Sequence, residues 1–289
     1  ARVQETYNLL SLQKISHASP TLFNAGTPLP QLSSCFLLSI PDTLEGIYDA
    51  LKKTALISKM AGGIGIGVSD VRAKGSLIRK TGGDSDGLVP MLKNFNSTGR
   101  YVNQGGKRKG SIAIYLEPHH PDLQDFLNIR KTHGQEEMRC LDLFTALWIS
   151  DLFMKRLNLA LDMDMSDPGS GRKVMWSFFC PDEAPGLTDL YGEEYEKLYL
   201  EYERDGLARD EEPILKVWNW ILTSQKETGS PYMLYKDPVN YRNPQANIGV
   251  IKNSNLCAEV TLVNDPKDNT IAVCNLAAIP LASHLDRKS

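Results

Sequence analysis

The sequence predicts an α/β fold, because segments with the two-residue period of strands alternate with segments of helical periodicity. Strands are expected at 35–40 and 111–116, and three more lie close together at 232–235, 248–260 and 271–276. With 289 residues, of which 42% are hydrophobic, the chain can bury a sizeable core as one large domain or two smaller ones.

Composition excludes several classes of function. The net charge is −3 and the longest basic cluster is only 107–109, so no surface for a nucleic acid polymer is expected. The five cysteines form no CxxC pair, which argues against a structural zinc site, and no metal site is predicted. There is no apolar run long enough to span a membrane and no signal peptide, so we expect a cytoplasmic protein with no membrane partner. In that compartment a redox-active cysteine pair is a better expectation than structural disulfides.

The first third of the chain predicts two helices and a strand. The chain does not begin with methionine, and residues 1–10 have the pattern of the middle of an amphipathic helix, so we expect a piece of a longer protein. The proline-rich stretch 16–35 predicts an ordered loop that leads into the strand 35–40. Asp42 and Glu45 are spaced as a capping box, and an apolar stripe follows them. The stripe consists of Leu44, Ile47, Tyr48, Leu51 and Ala55.

Residues 63–68 alternate glycine with aliphatic side chains. The stretch lacks the third glycine of a dinucleotide fingerprint, because Val68 stands at that position, and no phosphate-binding GxxxxGK[ST] motif follows. The pattern predicts a buried strand that another backbone or a ligand approaches closely. The residues alone favour neither of these two partners.

The middle of the chain predicts mainly helices. A helix is expected over 84–104, followed by a glycine-flanked basic loop at 104–110 that could bind a phosphate or form a solvated turn. A short helix should open at Pro121 and a long apolar helix should cover 140–157. A polar loop at 162–172 precedes two helices at 193–205 and 213–227.

The most informative stretch is 251–262. Asn255, Cys257 and Glu259 recur at two-residue spacing, with apolar residues between them, which predicts a strand that presents all three side chains on one face. An amide can orient a hydroxyl, a carboxylate can accept its proton, and a thiol can act as nucleophile or hydrogen-atom donor. The alternative is an edge strand with a solvated face and an incidental cysteine.

Eight stretches, which run in the same order over nearly the whole chain, resemble the large catalytic subunit of class I ribonucleotide reductases. They are SPTLFNAGTPLPQLSSCFLLS (19–39), ALISKMAGGIGIGVSDVRAKGS (55–76), GLVPMLKNFNSTGRYVNQGGKRKG (87–110), IAIYLEPHHPDLQDFLNIRK (112–131), ALWISDLFMKR (146–156), ETGSPYMLYKD (227–237), SNLCAE (254–259) and AVCNLA (272–277).

This resemblance implies roles for the trio. Cys257 resembles the cysteine that becomes a thiyl radical and removes the 3′ hydrogen of the ribose. Glu259 would deprotonate the 3′ hydroxyl, and Asn255 would hold the ribose hydroxyls. A thiyl radical needs a closed cavity, so we expect all three side chains to be shielded.

The resemblance also implies a dithiol and two substrate contacts. Cys35 and Cys274 resemble the pair that supplies reducing equivalents and ends the turnover as a disulfide. Ser34 resembles a substrate contact beside Cys35, and Ser19 matches a substrate-binding position that is usually threonine in the family. The two cysteines of the pair should lie within disulfide reach of each other.

Effector binding is implied for 42–110. The positions that match the site where a deoxynucleoside triphosphate sets substrate choice are Asp42, Thr43, Leu44, Lys59, Arg72, Arg79 and Lys80. Gln104 and Arg108 match the loop that relays this choice to the active site.

The resemblance further implies that 1–289 is part of the catalytic domain, a portion of a ten-stranded α/β barrel with helical segments around it. The regulatory ATP-binding domain and the second half of the barrel lie outside these residues, so the isolated chain should be inactive. The substrates would be ribonucleoside diphosphates, and the effectors deoxynucleoside triphosphates or ATP. Expected partners are a metal-containing small subunit that generates the radical, thioredoxin or glutaredoxin as reductant, and a second large subunit.

Two alternatives remain at this point. One is an adenosylcobalamin-dependent reductase, which uses the same cysteine logic, although the flanking stretches 146–156 and 227–237 favour the class with a separate radical subunit. The other is a nucleotide-binding regulatory fragment without catalysis, which would not need the cysteine trio. The stretch 158–172 looks longer than usual for the family and has no assigned role.

Overall fold

The structure is a computed structural model that describes residues 1–78, 82–102, 110–166, 173–268 and 270–285. Its strands are β1 (Ser16–His17), β2 (Cys35–Ser39), β3 (Gly63–Gly67), β4 (Leu77–Ile78), β5 (Gly83–Asp84), β6 (Ile112–Leu116), β7 (Leu143–Ile149), β8 (Met175–Phe178), β9 (Asp210–Pro213), β10 (Tyr232–Tyr235), β11 (Ala272–Cys274) and β12 (Ala277–Ala278).

Its α-helices are α1 (Arg2–Ser11), α2 (Ser19–Asn24), α3 (Leu44–Lys59), α4 (Leu88–Tyr101), α5 (Leu123–Asn128), α6 (Asp151–Ser166), α7 (Gly192–Arg204), α8 (Ile214–Thr228) and α9 (Lys236–Tyr241). Short 3₁₀ turns lie at Glu136–Met138, Leu187–Asp189 and Leu281–Ser283.

A six-stranded sheet in the order β10-β7-β6-β3-β2-β11 forms the centre of the fold. β10, β7, β6, β3 and β2 are parallel to their neighbours in the sheet, whereas β11 runs antiparallel to β2. The α/β prediction is confirmed. Because five strands share one direction, their amino ends meet at one edge of the sheet and their carboxyl ends at the other.

The two faces of the sheet are covered differently, and β6 shows how. Ile112, Ile114 and Leu116 pack into the main hydrophobic core with the helices, whereas Ala113 and Tyr115 point to the opposite face, as the two-residue period requires. On that face a smaller apolar cluster is completed by residues from the 251–263 segment. We call this the inner face. Within the described ranges, no helix combines the length and apolar character needed to cross a membrane.

The prediction of one long helix at 140–157 is wrong. Residues Leu143–Ile149 form β7, the chain turns at Ser150, and α6 begins at Asp151. β7 is almost wholly buried between its two neighbours, so all its side chains except that of Thr145 are apolar and they show no strand alternation. Helix α6 continues to Ser166, so the first residues of the predicted polar loop are helical, and 167–172 lie outside the described residues.

The start and the buried face of α3 also differ from the prediction. Thr43, not Asp42, is the N-cap, and its side chain accepts a hydrogen bond from the backbone N–H of Gly46. The helix buries Ala50, Thr54 and Ser58. Of the predicted apolar stripe, Ile47 and Leu51 pack half-buried against the main core, whereas Leu44 and Tyr48 are 68% and 56% exposed.

Candidate active site

The strand predicted at 248–260 is absent, and none of residues 251–262 is in a strand. Their backbone groups are satisfied by side chains instead of by a neighbouring strand, which is the physical reason for the difference. Asn240 of α9 both accepts from the N–H of Ile251, at 2.8 Å, and donates to its carbonyl, at 3.0 Å. Asn255 Oδ1 accepts from the N–H groups of Glu259 and Val260, at 3.1 and 3.0 Å.

A tight turn within this segment carries Cys257. The N–H of Ala258 donates to the carbonyl of Asn255 at 3.4 Å, which closes the turn around the cysteine. Ala258 has a φ of 65°, a left-handed conformation that a strand does not contain. We call residues 255–258 the Cys257 turn.

The Cys257 turn approaches the inner face of the sheet at β3. A Cβ atom on Gly65 would lie 1.9 Å from the carbonyl oxygen of Ser254 and 2.8 Å from the Cα of Asn255. Only a residue without a side chain permits this approach. The close partner of the glycine-rich strand, which the sequence left open, is therefore another stretch of backbone.

A series of hydrogen bonds between buried polar side chains leads to the backbone just before the turn. Ser39 donates to Asn264 Oδ1 at 2.7 Å, Asn264 donates to Asn253 Oδ1 at 2.9 Å, and Asn253 donates to the carbonyl of Ser254 at 2.9 Å. All four residues are buried. This hydrogen-bond series was not predicted from the sequence. Ser39, a polar residue near the end of a predicted apolar strand, was the available signal for a buried polar contact.

Asn255 is completely buried, and the oxygen of its side-chain amide is fully engaged in hydrogen bonds. Its Oδ1 accepts the two backbone N–H groups of the turn and a third hydrogen bond from Ser254 Oγ at 3.2 Å. Its Nδ2 is buried and has no hydrogen-bond partner among the described residues. Since a buried donor without a partner is costly, this N–H group is suited to bind an oxygen of a ligand.

Cys35 and Cys274 face each other across the β2–β11 pair. They are register partners in this antiparallel ladder, and directly opposite residues have Cα atoms roughly 4.5–5.5 Å apart. That separation lies within the range of a disulfide, so the expected proximity is confirmed.

The Cys35 thiol also contacts Glu259. Its Sγ lies 3.6 Å from Glu259 Oε1, which accepts the hydrogen bond. Burial, together with the hydrogen bond to Cys274, raises the pKa of the Cys35 thiol well above its ordinary value. Cys35 therefore keeps its proton at neutral pH. The fold thus joins one member of the cysteine pair to the carboxylate of the trio, although 224 positions separate them in the sequence.

Cys257 and Glu259 are exposed, which differs from the expectation of a closed cavity. The turn forms one wall of an open cleft of about 770 Å³. The other lining residues lie at the amino ends of three strands: Ser111, Phe144, Tyr232, Met233 and Leu234. Because Cys35 is the first residue of β2, both the cleft and the cysteine pair belong to the amino-end edge of the parallel strands.

Ser34 and Ser19 lie on the approach to the cysteine pair. Ser34 is buried, its N–H donates to the carbonyl of Cys274 at 2.8 Å, and its hydroxyl has no partner among the described residues. Ser19 is exposed at the start of α2. The preceding residue, Ala18, donates its N–H to the carbonyl of Leu276, two residues beyond Cys274.

The predicted effector residues are brought together only in part. Arg72 binds the Asp42 carboxylate through its Nε and its second guanidinium nitrogen, each 2.9 Å from Oδ2. Thr43 and Leu44 begin α3 beside this pair. Lys59 ends the same helix, about 22 Å away at 1.5 Å per residue. Four further predicted positions, Arg79, Lys80, Gln104 and Arg108, lie outside the described residues.

Comparison with known proteins accounts for the whole chain. Residues 33–289 match the family model of the ribonucleotide reductase barrel domain, and residues 1–30 match that of the ribonucleotide reductase all-alpha domain. The chain is 53% identical to a ribonucleoside-diphosphate reductase large chain of Neurospora crassa, over 99% of this chain and 29% of that protein. It is 54% identical to the large subunit of Arabidopsis thaliana, over 99% of this chain and 34% of that protein. It is also 54% identical to the large subunit of Danio rerio, over 96% of this chain and 33% of that protein.

The chain spans about a third of the length of these relatives. The match to the barrel model covers far more than half of the chain and includes every described residue of the cysteine pair and the trio. The chain therefore belongs to the ribonucleotide reductase family.

Proposed function

We propose that this chain is part of a large subunit that reduces ribonucleoside diphosphates to deoxyribonucleoside diphosphates by thiyl-radical chemistry. The observation that carries the proposal is the contact between the Cys35 thiol and the Glu259 carboxylate, on a pair of strands where Cys35 faces Cys274. The names of the relatives, ribonucleoside-diphosphate reductase large chain and large subunit, support the same reaction and substrate class.

Each residue has a task that suits its surroundings. Cys257, on its turn at the mouth of the cleft, removes the 3′ hydrogen of the ribose as a thiyl radical and returns it at the end. Glu259 accepts the proton of the 3′ hydroxyl. Asn255 offers its unpartnered Nδ2–H to a ribose oxygen.

The cysteine pair supplies the electrons. Cys35 and Cys274 each lose a hydrogen and join as a disulfide. One hydrogen leaves with the 2′ hydroxyl as water and the other replaces that hydroxyl on C2′, so one ribose is reduced for each disulfide formed. The raised pKa of Cys35 supports this task, because a thiol that keeps its proton can give it to the departing hydroxyl. Ser34 and Ser19 would contact the substrate near this pair.

The radical itself would come from a separate metal-containing small subunit. The relatives named ribonucleoside-diphosphate reductase support this class I assignment over the cobalamin-dependent alternative. We further propose thioredoxin or glutaredoxin as the reductant of the disulfide, and a cytoplasmic location.

Effector binding is proposed for 42–110, with the Asp42–Arg72 pair at its centre. Deoxynucleoside triphosphates or ATP would compete with Asp42 for the Arg72 guanidinium. Lys59 lies a helix length from this pair. We therefore place its contribution in a homodimer of large subunits, with the effector at the interface.

The test is substitution at Cys257 and Glu259 in the complete large subunit, assayed with its small subunit. Cys257→Ser should abolish reduction. Glu259→Gln keeps the shape of the side chain but removes the base, so it should still bind nucleoside diphosphate and turn over roughly 10²–10⁴-fold more slowly.

Cys140→Ala is the matched control, since Cys140 is fully buried away from the cleft in the main core and should be needed only for packing. Single-turnover rates and substrate binding decide the outcome. Near-normal reduction by Cys257→Ser would refute the proposed function, and near-normal turnover by Glu259→Gln would make Glu259 a solvated surface carboxylate.

A further inference from the structure

We propose that Tyr115 is a positioning residue, whose phenolic hydroxyl holds the Cys257 turn in the position that catalysis requires. The inference rests on the proposed function, since it concerns the cysteine that would carry the radical. It adds Tyr115, a residue of β6 on the inner face of the sheet, to the proposed active-site residues within 255–259.

The contact is a single short hydrogen bond to the first residue of the turn. Tyr115 Oη donates to the carbonyl oxygen of Asn255 at 2.6 Å, and both residues are fully buried. The same oxygen accepts the N–H of Ala258, the bond that closes the turn around Cys257. One carbonyl oxygen therefore joins the sheet to the turn.

Two neighbouring strands hold two consecutive carbonyl groups. The Ser254 carbonyl lies against Gly65 of β3, and the Asn255 carbonyl is held by Tyr115 of β6, which pairs with β3. The first contact only limits how closely the backbone can approach. The second is directional, and it fixes the orientation of the peptide that leads into Cys257.

Tyr115 itself is well supported. Its ring meets Trp148 of β7 edge to face, with ring centroids 6.3 Å apart. The small residues Ala113 and Ala146 complete the same apolar cluster on the inner face. Burial raises the pKa of the Tyr115 hydroxyl well above its ordinary value, so the group stays protonated and remains a donor. A ring held in this way has little freedom to follow a moving turn.

Loss of the hydroxyl should therefore act on catalysis more than on binding. With phenylalanine at this position the Asn255 peptide can rotate, and the Cys257 sulfur two residues on moves with it. A displacement of about 1 Å at a reacting group costs on the order of 10²-fold in rate. Asn255 Nδ2 keeps its place through Glu259 and Val260, so substrate affinity should change little.

The experiment compares Tyr115→Phe with Tyr199→Phe in the complete large subunit, assayed with the small subunit. Tyr199 of α7 is also fully buried, but it packs in the main core on the helical side. Its hydroxyl donates to the Ser177 carbonyl and accepts from the Ser177 N–H, each at 2.8 Å. Both variants lose one buried hydroxyl, and Tyr199→Phe should lower Tm at least as much as Tyr115→Phe because its hydroxyl makes two hydrogen bonds. Only Tyr115→Phe should lower kcat, by about 10- to 100-fold, at nearly unchanged KM for the nucleoside diphosphate.

Rescue separates positioning from packing. With 4-aminophenylalanine at position 115, a donor N–H returns to the same place, and kcat should recover most of the loss. This variant also decides the matter if Tyr115→Phe does not fold, because loss of turnover in a folded protein that keeps the donor would overturn the inference.

The outcomes of this inference and of the proposed function can be told apart. If Cys257→Ser is inactive while Tyr115→Phe retains the wild-type kcat, or if both tyrosine variants lose kcat equally, Tyr115 is not a positioning residue and the proposed function stands. If Cys257→Ser remains active, the proposed function fails.

Discussion

Gly65 shows how one residue without a side chain determines where a reactive group can lie. Its Cα hydrogen faces the Ser254 carbonyl, and a methyl group in its place would overlap that oxygen at 1.9 Å. Relief requires the turn to retreat by about 1 Å, since Cβ atoms essentially never approach closer than 3.0 Å. The sequence pattern at 63–68 indicated such a close approach but not which backbone makes it.

Gly65→Ala in the complete large subunit should therefore displace Cys257 and lower kcat on the order of 10²-fold. Gly83→Ala is the matched control, because a Cβ there meets nothing within 4 Å and its φ is not positive. Steady-state kinetics and Tm are measured for both. Equal kcat values in the two variants would show that the turn does not depend on this contact.

At the site, the candidate residues could be recognised from the sequence, whereas the residues that support them could not. Asn255, Cys257 and Glu259 stand out because three reactive groups recur at one spacing. Tyr115 does not stand out, because an aromatic residue in an apolar strand is expected to pack in the core. Its hydrogen bond joins residues 140 positions apart, and only the fold shows which polar group lies opposite it.

At the scale of elements, the errors have a common physical cause. The predicted helix at 140–157 merged β7 and α6 because a parallel strand buried on both faces has the same continuous apolar character as a buried helix. The strand predicted at 248–260 does not form, because side-chain amides of Asn240 and Asn255 replace the ladder of a neighbouring strand. Helices with clear ends, such as α7 and α8, were predicted to within one residue.

Helix α3 provides a prediction at this scale. Its N-cap bond, from the Gly46 N–H to Thr43 Oγ1, is 3.0 Å long. Thr43→Ala leaves that N–H without its partner, so the free energy of unfolding should fall by roughly 0.5–2 kcal/mol. Thr43→Ser keeps the hydroxyl and should retain most of the stability. Urea unfolding followed by circular dichroism measures both variants, and equal losses would show that the methyl group, not the cap, is responsible.

At the scale of the whole molecule, the sheet is covered unequally. Helices pack against one face, whereas the inner face is covered mainly by the segment that carries Cys257. At one side of the sheet, β10 pairs with β7 alone among the described strands. The cleft beside Cys257 is therefore open in this chain, which is about a third as long as the large subunits that it matches.

This arrangement predicts how the thiols react. Cys257 is exposed in this chain, whereas Cys140 and Cys180 are fully buried. Iodoacetamide should therefore label Cys257 readily in the 289-residue chain and leave the two buried thiols unmodified.

In a complete large subunit the label on Cys257 should form more slowly under the proposed function, because a thiyl radical at Cys257 requires that solvent be excluded. Mass spectrometry of tryptic peptides at short labelling times measures each thiol separately. Cys140 and Cys180 serve as internal controls that should stay unlabelled in both proteins. Equal labelling of Cys257 in the two proteins would mean that the cleft stays open in the complete subunit, and the shielding of the radical would then have to come from the substrate itself.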